Sequence, residues 1–217
     1  MDADGKFIVN DASEREQVLD VFESACLRAG INFSIHYDRD IALVELLAES
    51  KEADLILIGI GSSLCNHKAE FFNNLVAWTH CPVLVLPENT DSVKKISWLY
   101  DGSPGCIKAL RMMGCMLPLF SNLPLEILAV HYSPVWRTLP EPYFLNELLA
   151  EHPSGIVYRN FCGETPREIC KYLQDDRQES LVVSWINGRQ DVWESFTAGE
   201  NGVLLNNLQW ASFIVKY

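Results

Sequence analysis

The sequence lacks the patterns of a membrane protein, a disulfide-bonded protein or a nucleic-acid-binding protein. No apolar run approaches the ~18 residues of a membrane-spanning helix, and the chain contains no Cys-x-x-Cys pair. Basic residues are few: 17 Lys and Arg stand against 29 Asp and Glu, a formal charge of −12. Because such a surface repels phosphate backbones and no basic cluster offsets it, we expect neither a nucleic acid nor a membrane as a partner.

The cysteines indicate a reducing compartment. Seven are present, an odd number, and the sequence shows no secretory signal pattern. We therefore expect a cytoplasmic protein with unpaired thiols. Cys65 and His67 are the nearest pair of metal-ligand type, and one pair is not a metal site. No metal and no cofactor are expected.

An internal repeat is present instead. A shift of 126 positions aligns an apolar set in the first part of the chain with a similar set near its end. The aligned residues are Leu43, Val44, Leu47, Leu55, Ile56 and Leu57 with Ile169, Cys170, Leu173, Leu181, Val182 and Val183. Self-similarity of this kind predicts two related units, a first over residues 1–90 and a second over 91–217.

Hydrophobic periodicity predicts an α/β fold. Continuous apolar runs of strand length suit parallel strands that are covered on both faces, and helical patterns alternate with them. Strands are predicted over 31–37, 55–60, 83–86, 96–100, 125–131, 155–161, 180–186 and 211–217. Helices are predicted from Ser13 to Ala29, from Asp40, over 68–79, from Pro104, over 143–151, from Thr165 to Leu173, and within 189–208.

Three patterns resemble the universal stress protein family. They are a strand that ends in Asp101-Gly102-Ser103 before a helix, the strand of ADLILIG, and the HCPVLVLP that follows it. The resemblance covers residues 95–217 as a nearly full domain and about 13–87 as an incomplete one. It implies two flavodoxin-like, adenine-nucleotide-hydrolase-like open parallel sheets of order 3-2-1-4-5, packed as a pseudo-dimer. The first unit then lacks its N-terminal β-α-β elements, which we expect to reflect truncation relative to an ancestor.

The resemblance also implies where a nucleotide would bind. An Asp at the end of the first strand contacts the nucleoside, and Asp101 matches it. A motif of Gly, two residues, Gly, nine residues, Gly and then Ser or Thr surrounds the phosphates, and Gly59 matches its first glycine in the first unit. Glycine suits these places because a Cβ would block the approach of backbone N–H groups to phosphate.

The first unit departs from this motif. Ser62 stands at the second glycine, and the closing Gly-Ser/Thr pair falls near Ala69-Glu70. The loop is also shorter than the family's.

The second unit departs as well. Trp185 stands at the first glycine, Gly188 matches the second, and the closing pair is Gly199-Glu200. Each lost charge-assisted donor costs ~1.5–3 kcal/mol, and a carboxylate ~4 Å from a phosphate charge costs ~1–4 kcal/mol. Roughly 4–6 kcal/mol, or about three to four decades of affinity, is missing. We expect ATP binding to be lost in both units.

Several residues admit two interpretations. Asp101 either contacts a nucleoside or makes an ordinary Asp-Gly-Ser turn, and Ser103 is either part of a site or a helix cap. His131, at the end of a predicted strand, is either an acid/base group or structural. Aromatic residues near the C-terminus either form the floor of an apolar pocket or fill the space of a lost ligand; they are Trp185, Trp193, Phe196 and Trp210.

Three functions follow from these alternatives. The first is a non-enzymatic stress-response protein that acts through protein association. The second is a binding module for adenosine or another small ligand, and the third, least supported, is a nucleotide hydrolase or phosphotransferase, for which no G-x-x-x-x-G-K-[ST] motif is present. Within the chain, strand 83–86 is expected to pair with 212–216, and a homo-oligomer is a further expectation.

Overall fold

One seven-stranded sheet runs through the described part of the chain. In a computed structural model, the described residues are 12–35, 43–60, 68–87, 90, 92–120, 122–131, 145, 147, 149–150, 155–162, 166–175, 179–186 and 210–216. The helices are α1 (Ala12–Ala29), α2 (Leu43–Glu49), α3 (Lys68–Trp78), α4 (Pro104–Met116) and α5 (Pro166–Asp175). The strands are β1 (Ile56–Ile60), β2 (Val83–Pro87), β3 (Lys95–Tyr100), β4 (Leu125–His131), β5 (Ile156–Cys162), β6 (Ser180–Ile186) and β7 (Ala211–Lys216).

The strand order confirms the predicted topology of the second unit. The sheet runs β1-β2-β7-β6-β3-β4-β5. Five of these strands, read in chain order from β3 to β7, lie in the order 3-2-1-4-5 and are parallel to one another. The mostly parallel sheet with helices on both faces is therefore the α/β, flavodoxin-like fold that the sequence predicts.

The two remaining strands join this sheet through an antiparallel contact. β1 and β2 are parallel to each other, and β2 pairs antiparallel with β7. Val83 lies opposite Ile214 and Val85 lies opposite Ser212, which is the strand pairing expected between 83–86 and 212–216. The boundary at residue 90 and the description of the chain as a pseudo-dimer remain predictions.

Apolar side chains cover both faces of the sheet and form two cores. One core joins Ile58 and Val182 of the sheet to Phe72 and Leu75 of α3 and Leu173 of α5. The other packs the opposite sheet face against α4. It contains Trp98, Val183, Phe213, Ala109 and Met113. Because both faces are buried, the strands read as continuous apolar runs rather than alternating ones.

The predicted strand over 31–37 is wrong for residues 31–35, which form no strand; the others lie outside the described residues. Gly30 has φ = 66° and ends α1, with the N–H of Ile31 bonded to Cys26 O at 2.9 Å and its own N–H bonded to Leu27 O at 3.2 Å. This is a Schellman motif, and it turns the chain back on the helix. The ring of Phe33 then packs 5.6 Å from that of Phe22, so the alternating pattern reflects helix contact.

The other predicted elements agree with the described residues. The short helix predicted over 143–151 is represented by residues 145, 147 and 149, which are helical. The helical region predicted within 189–208 lies outside the described residues. Within the described ranges, no helix is both long enough and apolar enough to cross a membrane.

Candidate functional site

The candidate site lies at the carboxyl end of β3, where α4 begins. Asp101 follows the last residue of β3, and its Oδ1 accepts a hydrogen bond of 2.9 Å from the backbone N–H of Ser103. Gly102 between them has φ = 82°, a conformation that favours glycine because it has no Cβ. Asp101 and Gly102 therefore form an Asx-type turn that directs the chain into the helix.

Ser103 is the N-cap of α4. Its backbone is extended, with φ −80° and ψ 157°, and its Oγ accepts the N–H of Cys106 at 3.3 Å. Pro104 occupies the first helical position and has no N–H to satisfy. Of the first three helical residues, Pro104 has no N–H and Cys106 donates its N–H to the cap. Only Gly105 therefore has an N–H that is not bonded to the cap. Both polar side chains of the turn are engaged in forming it.

The indole of Trp185 covers this helix start. Trp98 of β3 lies opposite Val183 of β6, and Trp185 is two residues further along β6. On the α4 side of the sheet, the six-membered ring of Trp185 lies against Gly105. A Cβ on Gly105 would stand 2.2 Å from Cε3 and 2.4 Å from Cδ2 of that ring.

Cys106 is a buried and unreactive thiol beneath this turn. Its Sγ donates to Ser103 O at 2.9 Å, and its own carbonyl accepts the indole N–H of Trp98 at 2.9 Å. Burial, together with the nearby charge of Asp101, raises the pKa of Cys106 to about 12. The thiolate, which is the nucleophilic form, is therefore negligible at neutral pH.

Comparison with solved structures identifies the fold. A universal stress protein from Archaeoglobus fulgidus matches with a TM-score of 0.59 at 14% identity, over 94% of this chain and 78% of that chain. A protein described as a putative universal stress protein from Pseudomonas aeruginosa UCBPP-PA14 matches with a TM-score of 0.60 at 14% identity, over 97% of this chain and 82% of that one. The chain has the universal stress protein fold.

A third similar structure, described as functionally unknown and from Pseudomonas aeruginosa PAO1, matches with a TM-score of 0.59 at 13% identity, over 97% of this chain and 81% of that one. No protein-family model and no curated protein matches the sequence. With identities this low, the likeness of this chain to universal stress proteins is one of fold.

The universal stress protein fold separates some of the predicted site residues. Asp101 and Ser103 lie together at the β3–α4 turn. Gly59 lies in β1, and three strands stand between β1 and β3 in the sheet order. At ~4.8 Å per strand, Gly59 is roughly 19 Å from β3. Gly188 and Gly199 lie outside the described residues.

His131 is the last residue of β4 and lies opposite Cys162 of β5. Among the described residues, no group of three or more His, Cys, Asp or Glu side chains is placed to hold a metal ion.

Sequence reasoning missed a second polar cluster on the other face of the sheet. Glu126 of β4 is only 5% exposed. Its carboxylate accepts Lys95 Nζ at 2.8 Å and Arg159 Nε at 2.6 Å, and the hydroxyl of Tyr172 in α5 also donates to it. Ser97 Oγ lies 3.5 Å from the same carboxylate. The sequence does contain a signal for this cluster, because Glu126 is the one charged residue within the apolar strand LEILAV.

The cluster keeps Glu126 ionised and Tyr172 neutral. Burial alone would raise the pKa of Glu126, but the hydrogen bonds from Lys95, Tyr172 and Arg159 outweigh it, and the pKa is lowered. Burial and the bond to Glu126 raise the pKa of Tyr172 to about 12. The cluster therefore holds two cations and one anion around a neutral phenol.

Proposed function

We propose that this chain is a non-enzymatic regulatory protein of the universal stress protein type, which acts by associating with other proteins and does not bind ATP well. The observation that carries the proposal is the contact between Trp185 and Gly105. The indole lies at the carboxyl end of the sheet, at the start of α4, where ligands of open α/β sheets bind. A side chain of this chain already fills that space.

The polar groups at the same place support the proposal. An anion at a helix start is held by N–H groups of the first turn. Here Pro104 has no N–H and the N–H of Cys106 bonds to Ser103 Oγ. The carboxylate of Asp101 stands beside them and would repel a phosphate. Only the N–H of Gly105 is left in this first turn, and the indole of Trp185 lies against that residue.

The chemistry of the site gives no support to a hydrolase or a phosphotransferase. Cys106 is buried and its pKa is raised, which opposes a nucleophilic role. Ser103 Oγ accepts a backbone N–H, and no His is bonded to it among the described contacts. We propose that no cofactor is required and that the protein works in the cytoplasm, in keeping with the free thiols of Cys26, Cys81, Cys106, Cys115 and Cys170.

Equilibrium dialysis against ATP and adenosine, with an assay for phosphate release, tests this function. Neither ligand is expected to bind at micromolar concentration, and no turnover is expected. Binding of adenosine alone would favour a small-ligand module that uses Asp101. Tight ATP binding with turnover would refute the proposal.

The variant Trp185→Gly separates the two reasons for weak binding. If the indole is the obstacle to a base, this variant gains adenosine binding while ATP stays weak, because Glu200 still stands where the motif of the second unit has a hydroxyl. Micromolar ATP binding by the variant would show that this carboxylate does not matter. The change to Gly also removes a large side chain, so its folding is checked by circular dichroism.

A further inference from the structure

β5 forms one edge of the sheet described here. Among the described strands it pairs only with β4, through seven consecutive parallel pairs from Leu125–Ile156 to His131–Cys162. The ladder has no bulge, and the strand IVYRNFC contains neither Pro nor Lys. Natural proteins normally place such features on an open edge to prevent pairing with another chain. β5 is a long edge whose protection is a single charged residue, Arg159.

The register shows which main-chain groups face the open side. Leu125 N donates to Gly155 O at 3.3 Å, so the main-chain groups of residue 155 point toward β4. Because these groups alternate along a parallel strand, those of Ile156, Tyr158 and Asn160 point away from β4. Tyr158 and Asn160 are also exposed. An added strand would bond to these three residues.

Arg159 is held in place at the centre of this edge. Its Nε donates to the buried carboxylate of Glu126 at 2.6 Å, and its guanidinium lies 5.0 Å from the ring centre of Tyr172. The Arg159 side chain is nonetheless 51% exposed. A half-exposed guanidinium that is already held by Glu126 and Tyr172 can donate to a further acceptor at little additional loss of side-chain entropy.

The local charge favours an acidic occupant. Lys95 and Arg159 both pair with the carboxylate of Glu126, and Arg159 has the most exposed side chain of the three. Beyond ~8 Å the chain's total of −12 is screened at physiological salt. A short segment therefore meets the charge of Arg159, whereas a second copy of this acidic chain would bring more acidic than basic surface within that distance.

We propose that β5 docks an extended segment of a partner protein by strand addition, with an Asp or Glu side chain of that segment paired to Arg159. The proposal rests on the association function proposed above and names its surface. The main-chain bonds to the open edge give affinity, and the carboxylate at Arg159 gives specificity. The occupant is thus an extended acidic peptide.

A blocked peptide of seven residues, with threonine and valine alternating around a central glutamate, tests the docking. Binding to the full chain is measured by fluorescence anisotropy, beside a peptide whose central residue is glutamine. The glutamate peptide is expected to bind about tenfold more tightly, the value of one charge-assisted hydrogen bond. Arg159→Gln should abolish that preference, and Lys171→Gln, which removes an exposed charge from α5, should leave it.

Asn160→Pro tests the strand geometry without removing a charge. The N–H of Asn160 points to the open side, so proline removes no bond to β4 and is tolerated at an edge. We expect this variant to bind neither peptide, and we expect Asn160→Thr to bind both. Equal binding of the two peptides to the unmodified chain, or unchanged binding by Asn160→Pro, would overturn the proposal.

Self-association and ATP binding distinguish the remaining explanations. Self-association that Asn160→Pro abolishes, measured by sedimentation velocity, would assign the edge to a second copy and contradict the acidic peptide as occupant. If neither peptide binds and ATP does not bind either, only the docking surface is refuted. Tight ATP binding with turnover would refute the proposed function whatever the peptides do.

Discussion

The six-membered ring of the Trp185 indole lies against the Cα of Gly105, two residues into α4. A Cβ at residue 105 would meet three ring atoms of Trp185 at 2.2–2.8 Å, closer than carbon atoms can approach. These two residues are 80 positions apart in the sequence, and the indole fits only because residue 105 is a glycine. The absence of a side chain at residue 105 makes room for a large one at residue 185.

We therefore expect Gly105→Ala to destabilise the protein by about 1–3 kcal/mol, the usual cost of overpacking. Gly114→Ala in the same helix is the control. Nothing lies within 4 Å of a Cβ at residue 114, so this change should stabilise by ~0.5–1 kcal/mol through helix propensity. Urea unfolding curves measure both. In a Trp185→Ala background the cost of Gly105→Ala should disappear, and a cost that persists would mean that the indole is not its cause.

The cluster around Glu126 predicts a pH dependence of stability. Its pKa is lower in the folded state than in the unfolded state, so its contribution is complete above about pH 4.5 and is lost as the pH falls through the lowered value. Glu126→Gln should cost about 1.5–3 kcal/mol at pH 7. The difference from the unmodified protein should shrink below pH 4.5. Urea unfolding from pH 3 to 7 measures this.

Glu147→Gln is the matched control for that series. Glu147 is exposed, so the change should alter the free energy of unfolding by no more than ~0.5 kcal/mol. If the two Gln variants had the same pH profile, the buried carboxylate would not be the source of the acid sensitivity.

Among the residues that the structure describes, two buried polar atoms have no hydrogen-bond partner: Ser184 Oγ and the indole nitrogen of Trp210. An unsatisfied buried donor costs ~1–3 kcal/mol, so replacing it by an apolar group is neutral or favourable. Ser184→Ala should leave the free energy of unfolding unchanged or raise it by up to ~1 kcal/mol. Ser97→Ala, at a fully buried serine whose Oγ bonds to Ser180 Oγ at 3.1 Å, should lower it. A lower melting temperature for Ser184→Ala than for Ser97→Ala would contradict this prediction.

The described thiols should differ in reactivity. Cys115 is exposed, whereas burial raises the pKa of Cys170 to about 12, as it does for Cys106. We expect iodoacetamide at pH 8 to modify Cys115 at least ~100-fold faster than either buried thiol. Peptide mapping by mass spectrometry measures the rates, and equal rates in denaturant verify that the difference comes from the fold. Rapid native labelling of Cys106 would contradict the buried turn.

Local signals were sufficient for most of the fold. Apolar runs such as Leu181–Val183 mark parallel strands because burial on both faces leaves no polar position. Ser103-Pro104 marks the start of α4 because cap and first-turn chemistry are local. The exception is residues 31–35, where alternation predicts a strand. There, the Phe33–Phe22 contact and the turn at Gly30 satisfy the same pattern without a sheet.

Contacts between distant segments were beyond sequence reasoning. The sequence shows Trp185 at the first glycine of the family's phosphate-binding motif, but nothing in the sequence places its indole against Gly105. The partners of Glu126 are 31, 33 and 46 residues away, on three different elements. A lone carboxylate in an apolar strand shows that a partner must exist, because an unpaired buried charge is too costly, but it does not say which.

The pairing of β2 with β7 sets the order in which the chain can fold during synthesis. Residues 83–85 can pair with residues 212–214 only after the latter have been synthesised. A pairing of such high contact order slows folding, because the loop that it closes contains about 130 residues. Until residues 211–216 emerge from the ribosome, β2 has no β7 beside it, and the pair β1–β2 is not joined to the other described strands. β7 thus completes the sheet last, and a chain cut short before residue 211 would expose an apolar edge to aggregation and to chaperones.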